Sequence, residues 1–109
     1  MGVNDREGGT MTIVESLENG VVIMKVDGRL NAVTSLELHD KLMEFMPKAQ
    51  KLIFEFEDLE YISSGGLREL LIAYDEMSRK DGMVIRHVSP EVEEVLNLTG
   101  FSTIFEIEE

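Results

Sequence analysis

With 109 residues, 43% of them hydrophobic and 29% charged, the chain fits one globular domain with a core of its own. Twenty-two acidic against ten basic residues give a formal charge of -12, which repels nucleic-acid phosphates and anionic membranes and otherwise reads as a solvated surface, or as a match for a partner with a basic face. The absence of cysteine excludes disulfides, thiolate metal sites and a cysteine nucleophile, and it suits the cytoplasm.

The opening MGVNDREGGT is polar, glycine-rich and aperiodic, so Met1 to Thr10 reads as a flexible tail ahead of a single domain, 11–109; it lacks the basic and apolar regions of a signal peptide. Two apolar runs, Thr12 to Leu17 and Val21 to Val26, flank Asn19-Gly20, a pair that tolerates positive φ and predicts a hairpin. The longest apolar run, VVIM, is far short of the roughly 18 residues of a membrane span.

Thr34-Ser35-Leu36-Glu37 reads as a capping box, after which Leu38, Leu42, Phe45 and Met46 recur at helical spacing until Pro47. In KLIFEFE, Leu52, Phe54 and Phe56 alternate with a mostly polar set, as in a strand with one buried face. Leu67, Leu70, Leu71, Tyr74 and Met77 form a second helical stripe, with Gly82 placed as its stop. MVIRHV predicts a further strand, Ser89-Pro90 a capped third helix ending at Thr99-Gly100, and TIFEI a closing strand. The two strand-helix-strand units in the middle predict parallel pairing, and with the hairpin an α/β fold: a mixed sheet of four or five strands, helices packed mainly on one face.

Catalytic signatures are missing. There is no dinucleotide fingerprint, no phosphate loop and no G-x-S-x-G elbow. The histidines, His39 on the first helix and His87 in a strand, read as structural or exposed rather than as the base of a serine hydrolase. The carboxylates of EFEDLE lie along a strand and loop as a solvated edge, with no second cluster to complete a metal site. These residues predict a non-enzymatic protein without cofactor or metal.

The chemistry-bearing stretch is the strand-to-helix junction YISSGGLREL, Tyr61 to Leu70, where α/β folds dock ligands and partners. Ser63 or Ser64 can cap the second helix, a contribution of about 1 kcal/mol relative to alanine. One serine suffices. Gly65 and Gly66 are each unfavourable near a helix start by roughly 1 kcal/mol, which predicts a backbone that something approaches closely. A phosphate on a serine here meets free amides and the positive end of the helix dipole, and adds about two negative charges to a docking surface.

GRLNAVTSLEL, LIFEFEDLEYISSGGLREL and VEEVLNLTGFSTIFEI, in that order, resemble the STAS domain of bacterial anti-sigma factor antagonists over Thr12 to Glu108. The resemblance implies a STAS-type sheet, no catalysis, and partner switching: the antagonist binds an anti-sigma factor that is also a serine kinase and so releases a sigma factor. The kinase then phosphorylates a junction serine, and a PP2C-type phosphatase reverses the step. It also implies that partner-binding residues lie at the junction and in the preceding GRLN loop: Arg29, Asn31, Ser63, Ser64, Gly65, Gly66 and Arg68.

The family pattern at the junction is Asp-Ser-Ser-Gly-Leu, with the second serine as phosphate acceptor. Against Gly66-Leu67, the aspartate position holds Ser63, the first serine Ser64, and the acceptor position Gly65. Asn31 likewise stands where many members carry aspartate. Phosphorylation candidates are therefore Ser64 and Ser63, and the alternative is a constitutive, non-phosphorylatable binder. Other classes left open are an accessory subunit that docks an ATPase of a transport complex and an esterase using Ser64.

Overall fold

The computed structural model describes residues 10–109. The expected tail falls outside the described residues except for Thr10, whose carbonyl accepts the Arg29 N–H at 2.9 Å. Strands β1 (Met11–Glu18) and β2 (Val21–Leu30) form the expected antiparallel hairpin. Asn19 and Gly20 turn it at φ of 54° and 79°, the left-handed pair whose twist matches the strands.

Helix α1 (Thr34–Phe45) follows, and the expected capping box does not form. Asn31 caps instead: its Oδ1 accepts the Val33 and Thr34 N–H groups at 2.9 Å each. The Thr34 hydroxyl turns back to the strand and donates to the Arg29 carbonyl at 2.7 Å, leaving Glu37 exposed. Pro47 lies in the 3₁₀ turn Met46–Lys48 that ends the helix.

Strand β3 (Lys51–Glu55) and a four-residue strand β4 (Leu59–Ile62) come next, then α2 (Ser64–Met77), β5 (Met83–Arg86), α3 (Pro90–Thr99) and β6 (Glu106–Glu108). Ser89 caps α3, accepting the Val92 N–H, and Gly100 closes it in the left-handed conformation, as expected. Helix α2 stops at Met77 and further turns intervene before Gly82, which turns the chain into β5 at φ 100°. The segment expected to be a strand from Thr103 begins instead as the 3₁₀ turn Phe101–Thr103, so pairing starts only at Glu106.

The six strands form one mixed sheet, ordered β1-β2-β3-β5-β6, with β4 paired to the far end of β2; all pairs except β1 with β2 are parallel. Strand β4 is the one the sequence hides. Gly28 pairs with Leu59 and Arg29 with Tyr61, so Glu60 is an extra residue that reverses the in-out alternation. Leu59 and Ile62 therefore both reach the core, and Leu59 is fully buried rather than part of a solvated edge.

Val22, Met24, Val26 and Leu30 of β2, Leu52 and Phe54 of β3, and Met83 and Ile85 of β5 bury one face of the sheet. Against it lie Leu38 and Leu42 of α1, Leu67, Leu70, Ala73 and Met77 of α2, and Val92 and Leu96 of α3, all in one cluster. The helices thus pack on one face.

On the other face Glu55 joins β3 to the end of β5. It accepts from the Arg86 guanidinium, through Nε at 2.7 Å and through Nη2, and pairs with His87 Nδ1 at 2.7 Å. His87 lies just past β5, not within it, at φ 56°. Desolvation pushes the Glu55 carboxyl up, but the hydrogen bonds from His87 and Arg86 and their charges outweigh it and hold it below the ordinary value. A depressed folded-state value means that the pairing stabilises the protein above the unfolded carboxylate range and is lost as pH falls through the folded value. Glu55→Gln is therefore less stable than wild type near neutral pH, and the gap narrows on acidification below about pH 4. Urea denaturation at a series of pH values reads this, and a gap independent of pH contradicts it.

Candidate functional site

Strands β2 and β4 end side by side, Arg29 beside Tyr61 and Leu30 beside Ile62. From these ends the chain leaves β2 into the Asn31 loop and α1, and leaves β4 into Ser63 and α2. The expected GRLN loop and the SSGG junction are thereby brought together at the carboxyl ends of parallel strands. The Ser63 N–H, donating to the Leu30 carbonyl at 2.8 Å, ties one loop to the other.

The two serines have different surroundings. Ser63, at φ -95° and ψ 175°, is the N-cap: its Oγ accepts the Gly66 N–H at 3.3 Å and its carbonyl accepts the Leu67 N–H at 2.9 Å. Ser64 is the first helical residue and is exposed, and its hydroxyl takes no hydrogen-bond partner among the described residues. One hydroxyl is committed to the fold and the other faces solvent.

The two glycines also divide, and here the expected close approach is found in an unexpected place. A Cβ at Gly66 would lie 2.7 Å from Leu30 Cγ and 2.9 Å from Ile62 Cγ1, so what approaches is the chain's own core. A Cβ at Gly65 would lie 3.1 Å from the Ser35 Oγ and 3.7 Å from the Ala32 Cα, facing the first loop. Ser35 is buried and donates to the Ala32 carbonyl at 3.0 Å. It is a site residue that sequence reasoning missed, having placed it only as a spacer inside the capping box.

Asn31, expected as a partner contact, is half-buried, with its carbonyl oxygen spent on capping α1. Arg29 stacks on Tyr61, the guanidinium carbon 4.3 Å from the ring centroid, a cation–π pair across two strand ends. Tyr61 was not among the expected contact residues. Arg68 is exposed one turn into α2. Arg79 and Arg86 bridge to Asp75 and Glu55, whereas Arg29 and Arg68 form no ion pair among the described residues. Val33 and Leu36, 73% and 65% exposed, add an apolar patch on the first-loop side.

Neither histidine reaches the serines. His39 Nδ1 pairs with Glu69 Oε1 at 3.0 Å, linking α1 to α2, and His87 pairs with Glu55. The arrangement offers docking chemistry: one exposed hydroxyl, two guanidinium groups and a small apolar rim.

A family model of the STAS domain matches residues 12–109. The chain is 29% identical over 91 residues to BtrV of Bordetella bronchiseptica, assigned as an anti-sigma factor antagonist, covering 82% of this chain and 78% of that protein. Its fold is similar to that of an anti-sigma factor antagonist from Mycobacterium paratuberculosis, with a TM-score of 0.83 at 21% identity over 91% of this chain and 86% of that one. It is also similar to the Bacillus cell fate determinant SpoIIAA in its phosphorylated form, with a TM-score of 0.68 at 18% identity over 90% of each chain.

The contrast between the glycines is measurable. Alanine gains about 1 kcal/mol of helix propensity at either position, while overpacking a core costs about 1–3 kcal/mol. Gly66→Ala drives a methyl into Leu30 and Ile62 and is destabilised by about 1 kcal/mol net. Gly65→Ala asks the Ser35 hydroxyl to give by only a few tenths of an ångström, and with the gain in helix propensity it stays close to wild type and more stable than Gly66→Ala. Thermal or urea unfolding of the two variants checks the order, and the reverse order contradicts it.

Proposed function

The chain belongs to the STAS domain family, and from that premise we propose that it acts as an anti-sigma factor antagonist, a regulatory binding module in the cytoplasm. Its partner is an anti-sigma factor, and its docking surface joins the Ser63–Gly66 junction to Arg29, Arg68 and the exposed Val33 and Leu36. The observation that carries the reading is the division between the serines: Ser63 holds the helix start, so Ser64 stands exposed where a partner or a kinase reaches it.

In the switching form of this function the anti-sigma factor is a serine kinase. The Ser64 Oγ attacks the γ-phosphorus of kinase-bound ATP, the bond to the ADP oxygen breaks, and the hydroxyl proton leaves to a kinase base. The product carries about two further negative charges at the docking surface, which weakens the complex. A PP2C-type phosphatase restores the hydroxyl by hydrolysis, and the freed sigma factor changes transcription.

Gly65 favours a second form, a constitutive binder, because the family's usual acceptor position has no hydroxyl, and a Cβ there would lie 3.1 Å from the Ser35 Oγ. Incubation with the cognate anti-sigma kinase and ATP, followed by mass spectrometry, separates the two: phosphate on Ser64 for switching, none for constitutive binding. Under either form, Ser64→Asp and Gly65→Glu weaken the complex by about tenfold or more, as a charge buried at an interface centre does. A complex that survives both substitutions unchanged in a titration places the interface elsewhere.

A further inference from the structure

The arginine one turn after Ser64 has an environment unlike that of the arginine at the other end of the same helix. Around Arg79 the residue four positions earlier is Asp75, and the two bridge at 3.2 Å. Around Arg68 the positions three and four away on either side are Ser64, Gly65, Leu71 and Ile72, and none is a carboxylate. The adjacent acid, Glu69, is turned to His39 on α1 at 3.0 Å. In a chain with 22 acidic residues, Arg68 is exposed and forms no ion pair among the described residues. Among those four positions the one residue that can become an anion is Ser64.

We propose that Arg68 is the intramolecular receptor of a phosphate on Ser64, the two closing an i,i+4 ion pair across the first turn of α2. The inference rests on the reading of Ser64 as the phosphorylated residue and deepens it. A phosphate on an exposed N-terminal residue with arginine four positions later has the acid-first orientation that helices favour, with two charges in place of one. Moving the acceptor by one residue turns it about 100° around the helix. From Gly65 the residue four positions on is Glu69, so a phosphate there would face a carboxylate and the Ser35 loop. From Ser64 it faces Arg68. Phosphorylation then does two things to the docking surface: it adds negative charge, and it withdraws the guanidinium from a partner.

The test needs no kinase and no partner. Phosphoserine is installed at position 64 by genetic encoding in the full chain, alone and combined with Arg68→Ala or Arg68→Lys. The phosphorus NMR titration midpoint of the phosphate is lower by a few tenths of a unit with Arg68 than with Arg68→Ala, and Arg68→Lys recovers part of the difference. In the matching thermal cycle, phosphate raises the melting temperature by about 2 °C more with Arg68 than without it, and about 1 M salt erases the excess. Equal midpoints in all three backgrounds overturn the proposal. A kinase that leaves Ser64 unmodified overturns the reading beneath it, and the mass spectrometry above detects that separately.

Discussion

The site depends on one close approach, that of the first turn of α2 to the ends of β2 and β4. Gly66 is buried between Leu30 and Ile62 with no space for a Cβ, so the helix start lies on the strand ends as near as backbone allows. The Ser63 N–H to Leu30 carbonyl bond fixes the same approach in direction. Together they set where Ser64 emerges, because a residue that follows the capping Ser63 and lies two positions before the wedged Gly66 has little freedom left.

The second loop is positioned by the same strand ends. The Thr34 hydroxyl donates to the Arg29 carbonyl and Asn31 caps α1, so the loop is closed by its own side chains before any partner arrives. Its Ser35 and Ala32 then form the wall that Gly65 faces. A surface built in this way is preformed, and binding to it costs less ordering than binding to a mobile loop. Asparagine serves the capping role through its carbonyl oxygen, the atom type an aspartate would also present, with one charge less.

Much of this was legible in the sequence because its signals are local. Asn19-Gly20, Ser89-Pro90 and Gly100 each act within a few residues, and each does in the structure what turn and cap chemistry predict. What was not legible is non-local. Strand β4 fails the alternation test because its register skips Glu60 against β2, and only the partner strand makes that visible. The capping box failed because the Thr34 Oγ1 accepts the Asn31 N–H at 2.8 Å and donates to the Arg29 carbonyl, whose place is set by the sheet, instead of accepting an amide of its own helix. Gly66 was recognised as needing a close neighbour, but sequence alone could not tell a core leucine from a partner.

If Ser64 is the phosphate acceptor, as proposed, the pair of adjacent serines divides two demands that conflict on a single hydroxyl. A capping hydroxyl must accept a backbone N–H and is held near the helix axis, whereas a hydroxyl that exchanges a phosphoryl group must be exposed and uncommitted. If one serine did both, each phosphorylation would break the cap and loosen the turn that positions the site. Here the Gly66 N–H is held by Ser63, so a phosphate on Ser64 would not have to displace it. Under the proposed switch the helix start would stay fixed while the charge on its surface changed, and a change in binding would then follow from charge and from the placement of Arg68 rather than from unfolding of the junction.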